Sequence, residues 1–263
     1  MNIHSFEEAT EPAAARTSVL AVRHGRGRTG GSTFLDLLIQ RARRAGRSVI
    51  IGDGDRGNAT LANLYPPGDK FGAVQPRSDD IADVSDWITS LSGEMVESGG
   101  SLVLDLGGGD RVLSEHSRAM ALPDFCEAFG WQPLAIYMIG PDAEDFEHVF
   151  KIFKAGYFKT ERAILIMNEA LVRAGKNASG AFDQILDHPG YPEMIESVRQ
   201  MSMPRLECMS VLRASGLSFF DAIENKHGVD GKRLNLGQQF QVRTWINQME
   251  KKFVTLGIEE WLP

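Results

Sequence analysis

Residues 25–33 have the composition and spacing of a loop that binds an anion. Four glycines in this stretch allow successive backbone N–H groups to turn inwards around a phosphate. An apolar segment, residues 18–22, precedes the loop and predicts a strand, and helical spacing predicts a helix over about residues 32–45. The free N–H groups and the positive dipole end of that helix also favour an anion. The candidate phosphate-binding residues are therefore Gly25, Gly27, Thr29, Gly30, Gly31, Ser32 and Thr33.

The loop departs from the pattern G-x-x-x-x-G-K-[ST] at one position. Ser32 supplies the hydroxyl that would bind magnesium, but Gly31 stands where the lysine that reaches the β- and γ-phosphates is expected. Arg26 and Arg28 lie in the same loop. Cations beside a helix N-terminus are unfavourable unless an anion is bound, so these arginines favour a phosphate site over an empty strand–helix turn.

Acidic residues lie at or just after the ends of two later predicted strands. Asp53 and Asp55 come directly after residues 48–51, and Asp105 lies within residues 101–106, before a run of small residues. Phosphate and magnesium gather at the carboxyl ends of strands in open α/β sheets. These carboxylates are candidate site residues. The alternatives are turn or capping acids at the first two positions and a solvent-facing strand end at the third.

Five apolar segments without polar alternation indicate strands buried on both faces. They are residues 18–22, 48–51, 101–106, 134–139 and 162–167. Helical patterns separate them over residues 81–96, 111–129 (with a break at Pro123 left open) and 143–154, and continue over 191–200, 218–226 and 236–256. Residues 65–80 predict an irregular loop, and 203–206 a short edge strand. The pattern predicts an α/β fold with a doubly wound, mostly parallel sheet and helices on both faces. We expect a disordered tail over residues 1–16 and a single domain over 17–263.

The composition is that of an ordinary globular protein, with 263 residues, 43% hydrophobic residues and a net charge of −7. This charge argues against coating of nucleic acid through overall basicity. Two distant cysteines and the lack of an apolar run of about 20 residues predict a cytoplasmic protein without a membrane partner. A C-terminal basic cluster could contact DNA phosphates, although a solvated helix face is the favoured interpretation. Its residues are Lys226, Lys232, Arg233, Arg243, Lys251 and Lys252.

Together, these motifs resemble those of the ParA/MinD branch of P-loop ATPases. That family has a deviant Walker loop, G-K-G-G-x-G-K-[ST]-[ST], which residues 25–33 match in length and glycine positions. Residues 53–61 keep both acids and the G-N-A-T-L run of the family's D-x-D-P-Q-G-N-A-T-x-x-L turn, but lack the proline. The Walker B segment at Asp105 and a strand ending at Asn168 follow in the family's order. The resemblance covers about residues 18–225. Residues 105–110 and the later helices are also similar to TraL-like plasmid-borne members linked to conjugation.

The resemblance implies ATP and Mg²⁺ as cofactors and assigns a role to each matching residue. At the metal site, Ser32 would bind magnesium, with Asp53 and Asp105 in or near its outer shell. Asp55 would orient the attacking water, and Asn168 would contact the base unless it is only a polar strand end. Arg26 stands where the family has a lysine that crosses the dimer. This arginine or Arg28, from the same chain or a second one, would replace the missing lysine, so binding is expected to survive more readily than hydrolysis.

The resulting hypothesis is an ATP-binding switch protein with weak or altered hydrolysis. ATP would favour a homodimer, which would engage a protein partner in DNA segregation, conjugative transfer or positioning. A pseudo-ATPase that serves as a binding scaffold is the alternative. A small-molecule kinase or ligase similar to dethiobiotin synthetase is a third option, which the turn at residues 53–61 argues against.

Overall fold

A computed structural model describes residues 17–107, 110–173 and 178–263. The predicted tail, residues 1–16, lies outside the described residues, as do Gly108 and Gly109 of the small-residue run. Within the described ranges, seven strands form one sheet in the order β3-β2-β4-β1-β5-β6-β7, and all neighbouring strands are parallel. The strands are β1 Val19–His24, β2 Val49–Asp53, β3 Ala73–Val74, β4 Ser101–Asp105, β5 Gln132–Ile139, β6 Ala163–Asn168 and β7 Arg199–Met203.

The helices connect these strands in chain order. The first six are α1 Gly31–Arg44, α2 Thr60–Leu64, α3 Ile81–Ser98, α4 Asp110–Ala119, α5 Leu122–Ala128 and α6 Ala143–Ala155. The next six are α7 Ala178–Ala181, α8 Asp183–Leu186, α9 Tyr191–Ile195, α10 Met209–Ser215, α11 Phe219–Ile223 and α12 Leu236–Leu256.

The core lies on both faces of the sheet because side chains alternate along each strand. In β1, Val19 and Ala21 pack in the cluster that contains α1, α10, α11 and α12. Leu20 and Val22 pack in the opposite cluster with α3, α5, α6 and α9. The prediction of a doubly wound parallel α/β sheet with helices on both faces is confirmed.

Three predicted segments differ from the structure. Residues 111–129 form two helices, because the chain leaves α4 after Ala119 and Pro123 lies in the first turn of α5. The helix predicted over residues 191–200 ends at Ile195, and residues 199–203 pair with β6 as β7, upstream of the predicted edge strand at 203–206. Within the predicted irregular loop, β3 adds a short parallel strand next to β2.

Candidate nucleotide-binding site

The glycine loop connects β1, in the middle of the sheet, to the N-terminus of α1. Gly30 precedes the helix in a left-handed conformation, and no described side chain caps the helix. The first N–H groups of an α-helix have no partner within the helix, so they remain available to an anion. A Cβ atom at Gly27 would meet no described atom within 4 Å, so the loop has room beside this glycine. These features fit a phosphate group.

Two of the predicted glycines allow the loop to pass close to strands β5 and β6. Gly25 has a φ of 135°, and a Cβ atom there would lie 2.4 Å from the carbonyl oxygen of Met138. Gly30 has a φ of 89°, and a Cβ atom there would lie 2.2 Å from Nδ2 of Asn168. Any larger residue would meet both an unfavourable backbone conformation and a clash.

The three predicted metal-site residues lie together beside this loop. The hydroxyl of Ser32 donates a hydrogen bond to Oδ2 of Asp105 at 2.6 Å. Asp53 is the residue of β2 directly opposite Asp105 of β4, and both are buried. No cluster of three or more carboxylate, imidazole or thiol groups suited to a metal occurs within the described ranges. Because Mg²⁺ is usually held by one or two carboxylates together with substrate phosphates and water, the residues present fit this ion.

Asp53 carries a perturbed pKa. Burial raises the pKa of Asp53 to about 6, and the negative charges of Asp105 and Asp55 act in the same direction. Hydrogen bonds from the backbone N–H of Ala62 at 2.8 Å and of Asp55 at 3.2 Å partly offset this effect. A carboxylate whose charge is disfavoured in this way would gain stability from a nearby cation.

Asp55 lies close in sequence to Asp53, and its side chain caps the short turn that follows it. Its Oδ1 accepts a hydrogen bond at 3.0 Å from the backbone N–H of Asn58, which caps the 3₁₀ turn Arg56–Asn58. A Cβ atom at Gly107 would lie 3.0 Å from Oδ2 of Asp55, so this carboxylate faces the end of β4. Orientation of an attacking water by Asp55 stays a prediction.

Asn168 holds the glycine loop from the end of β6. Its Nδ2 donates to the carbonyl oxygen of Thr29 at 2.9 Å, and its Oδ1 accepts from the N–H of Ala170 at 3.0 Å. The side chain is buried and both ends of its amide contact the backbone. The structure thus gives Asn168 a positioning contact, while a contact with a base stays a prediction.

The two arginines of the loop are exposed. Arg26 forms ion pairs with Glu144 at 3.0 Å and Asp145 at 3.3 Å, both in the first turn of α6. Arg28 has a left-handed backbone with a φ of 67°. The replacement of the missing lysine by either arginine, in the same chain or across a dimer, stays a prediction.

A third arginine, which the sequence interpretation missed, lies against Gly31. A Cβ atom at Gly31 would lie 2.2 Å from Nε of Arg23 and 2.9 Å from its Cδ and Cζ atoms. Nη2 of Arg23 donates to the carbonyl oxygen of Arg26 at 2.5 Å and to Oγ1 of Thr29 at 2.8 Å, and Nη1 donates to the carbonyl oxygen of Gly107 at 2.5 Å. The sequence signal for Arg23 is a charged residue directly after an apolar segment. Because the strand was predicted to end at Val22, Arg23 was not recognised as a buried residue of β1.

His24 lies next to Arg23 on the opposite face of the sheet. Its ring stacks on Tyr137 at a centroid distance of 5.2 Å and contacts Phe158 at 5.7 Å. Burial, and then the charge of Arg23, lower the pKa of His24 to about 3. Because the unfolded value is 6.5, the stabilisation from the neutral ring is present above pH 6.5 and is lost as the pH falls towards 3.

We expect His24→Phe to reduce the acid sensitivity of the protein. Between pH 7 and pH 4, the wild-type free energy of unfolding should fall by about 2–3 kcal/mol more than that of the variant. Urea unfolding followed by circular dichroism across this range measures the difference. The exposed His227, replaced in His227→Gln, is the control. Equal pH dependence of the wild type and His24→Phe would contradict the prediction.

Several residues of the predicted C-terminal basic cluster contact the protein itself. Lys226 pairs with Asp221 and Glu224, and the ammonium group of Lys252 donates to the carbonyl oxygen of Ser202 at 2.7 Å. Part of the cluster is therefore engaged, and a contact with DNA stays a prediction. None of the helices within the described ranges is long and apolar enough to cross a membrane.

The strand, the glycine loop, the helix behind it and the paired carboxylates define a P-loop-type α/β fold. No protein-family model matches the sequence, and no curated protein matches it significantly.

Solved structures with a similar fold include the signal recognition particle receptor FtsY from Elizabethkingia anophelis in complex with GDP. The identity is 14%, the TM-score is 0.47, and the match covers 90% of this chain and 66% of FtsY. The MinD cell division protein of Aquifex aeolicus is 13% identical with a TM-score of 0.47, over 88% of this chain and 97% of MinD. FtsY from Mycoplasma mycoides is 13% identical with a TM-score of 0.45, over 88% of this chain and 68% of that one. This chain thus spans about two thirds of the FtsY chains.

Proposed function

We propose that this protein is an ATP- and Mg²⁺-binding switch of the ParA/MinD type, with weak or altered ATP hydrolysis. One observation carries the proposal. The hydroxyl of Ser32, in the first turn of α1, lies 2.6 Å from Oδ2 of Asp105, and Asp53 of β2 is the register partner of Asp105 in the neighbouring strand β4. A hydroxyl and two carboxylates beside a helix N-terminus and a glycine loop suit a metal ion that accompanies a phosphate.

Each part of the site has a physical task in this function. The backbone N–H groups from Gly27 to Ser32 bind the phosphates, and Ser32, Asp53 and Asp105 hold Mg²⁺. Bound Mg²⁺ would neutralise charge on the phosphate oxygens. Asp55 orients a water molecule, and Asn168 keeps the loop against β6.

The proposed switch acts in the cytoplasm as one domain over residues 17–263. ATP favours a homodimer, and the dimer engages a protein partner in DNA segregation, conjugative transfer or positioning. The charge of Arg26 would become available to a second subunit if its pair with Glu144 and Asp145 opened. The resemblance of the sequence motifs supports this assignment.

Binding of fluorescent ATP and GTP derivatives, with and without Mg²⁺, tests the nucleotide site. We expect Mg²⁺-dependent binding of ATP and an increase in molar mass by light scattering when ATP, but not ADP, is added. Ser32→Ala should weaken Mg²⁺-dependent binding by about 10-fold or more, because the partly buried hydroxyl that contacts Asp105 is lost. Ser90→Ala, on the exposed side of α3, is the matched control. A wild-type protein that binds neither nucleotide would overturn the proposal.

A catalytically inactive scaffold is the second candidate. Gly31 favours it, because the loop lacks the lysine that ordinarily contacts the β- and γ-phosphates. Multiple-turnover and single-turnover ATPase assays, with candidate partners added, distinguish the two functions. Binding of ATP without turnover under any of these conditions would favour the scaffold.

A further inference from the structure

We propose that Arg23 is the cation that contacts the nucleotide phosphates in this site, in place of the lysine that is absent at Gly31. The inference rests on the proposed nucleotide-binding function. It differs from the sequence interpretation, because it assigns the role to a buried strand residue of the same chain instead of to the loop arginines.

The first argument is the position of Arg23. Alternation along β1 places Arg23 on the same side as Val19 and Ala21, and these residues pack in the cluster that contains α1. The side chain therefore extends beneath the loop that joins β1 to α1. Its Cδ, Nε and Cζ atoms are the three atoms nearest to a Cβ at Gly31. The guanidinium group thus fills the space into which a side chain at position 31 would extend.

The second argument is that Gly31 is needed for this space and not for its backbone conformation. Its φ lies outside the left-handed region, so the backbone there would accept any residue. The obstacle to a larger residue is Arg23 itself, with three of its atoms within 2.9 Å of the Cβ position. Arg23 therefore accounts for the glycine at position 31, because its side chain occupies the space that a lysine there would need.

The third argument is the charge balance of the buried guanidinium. Only 4% of the Arg23 side chain is exposed, and its Nε has no hydrogen-bond partner among the described residues. The nearest described carboxylate is that of Asp105, with its Oδ1 3.6 Å from Nη1, and this carboxylate also accepts hydrogen bonds from Ser32 and Gly107. The charge of Asp105 is thus shared among several donors, and the unused Nε–H of an always-charged group is costly to bury. A phosphate in the loop would supply negative charge and acceptor oxygens, which guanidinium groups bind well.

A purely structural role for Arg23 is the competing explanation, since its hydrogen bonds join the loop to the end of β4. Such a role predicts that replacing Arg23 lowers the stability of the protein. Any loss of binding would then be the same for ATP, ADP and AMP. A phosphate contact instead predicts a larger loss for ATP and ADP than for AMP, and recovery of binding by another cation. Measurements of binding and of stability on the same variants separate the two roles.

The experiment compares Arg23→Met with Arg23→Lys in titrations of ATP, ADP and AMP with Mg²⁺ present. Arg23→Met should bind ATP about 10- to 100-fold more weakly, and Arg23→Lys should recover much of the loss. Arg118→Met, on the exposed side of α4, is the control for loss of an arginine. Arg26→Met and Arg28→Met test the loop arginines, and they should affect ATP binding less than Arg23→Met. A folded Arg23→Met that binds ATP as the wild type does would overturn the inference.

A second measurement does not depend on the folding of Arg23→Met. The Nε–H signal of Arg23 in the ¹H–¹⁵N spectrum of the wild type, assigned by its absence from Arg23→Lys, should shift on addition of Mg²⁺ and ATP. An unchanged signal in a protein that binds ATP would overturn the role of Arg23 and leave the proposed function intact. A wild-type protein without nucleotide binding would overturn both.

Discussion

Gly31→Lys, which restores the lysine of the usual loop pattern, is expected to destabilise the protein and to weaken ATP binding. The Cβ atom of the new lysine would lie 2.2 Å from Nε of Arg23, so the guanidinium group has to move. Its displacement breaks the hydrogen bonds to Gly107, Arg26 and Thr29. Overpacking of this kind costs about 1–3 kcal/mol, and two cations in one buried site repel each other.

Removal of the arginine from the same chain should reverse the effect. In the double variant Arg23→Met with Gly31→Lys, the space beneath the loop is free and the lysine supplies the cation. Urea unfolding and ATP titration of both single variants and the double variant complete a double-mutant cycle. Gly93→Lys controls for an added lysine, because a Cβ atom at Gly93 in α3 meets nothing within 4 Å. Additive effects of the two substitutions would contradict a direct exchange between positions 23 and 31.

Asp53→Asn is expected to stabilise the protein at neutral pH and to abolish its response to Mg²⁺ and nucleotide. The folded-state pKa of Asp53 is about 6, above its ordinary value of 3.8. The stability that a protonated Asp53 provides is therefore complete below pH 3.8 and is lost as the pH rises through 6. Two pKa units correspond to at most about 3 kcal/mol. The neutral amide should gain up to this amount above pH 7, less the cost of one backbone hydrogen bond, because its single oxygen cannot accept from both Ala62 and Asp55.

Unfolding in urea between pH 4.5 and pH 8 measures this gain, and the same titrations with Mg²⁺ and ATP measure the loss of ligand response. The variant should exceed the wild type in stability at pH 8 and approach it at pH 4.5. Asp86→Asn, at an exposed position of α3, is the control. A stability difference that is the same at both pH values would show that the charge of Asp53 is not the cause.

Much of the candidate site could be predicted because its parts are local in the sequence. A glycine loop before a helix and an acid at the end of an apolar strand are recognisable without knowledge of packing, and the structure brings Ser32, Asp53 and Asp105 together. Arg23 could not be assigned in the same way. Its role depends on α1 packing over β1, and on a glycine that leaves space for a side chain eight positions earlier.

The errors in the fold have a similar cause. Residues 191–200 have helical spacing, but β7 begins at Arg199 and its burial alternates along the edge of the sheet. A short segment with a few apolar residues fits both the helical and the strand period. Pairing with β6 makes residues 199–203 a strand, and the sequence does not reveal this pairing. The long central strands were predictable because they are apolar over their whole length.

The ion pairs between Arg26 and the start of α6 determine how readily the guanidinium group of Arg26 can contact another group. The side chains of Arg26 and Glu144 are 44% and 78% exposed, and pairs of this kind are worth roughly 0–1 kcal/mol and are screened by salt. Its second partner, Asp145, has only 11% of its side chain exposed, so the guanidinium group of Arg26 is free only when this contact opens as well. Moderate ionic strength should bias it towards the open arrangement even before any ligand arrives.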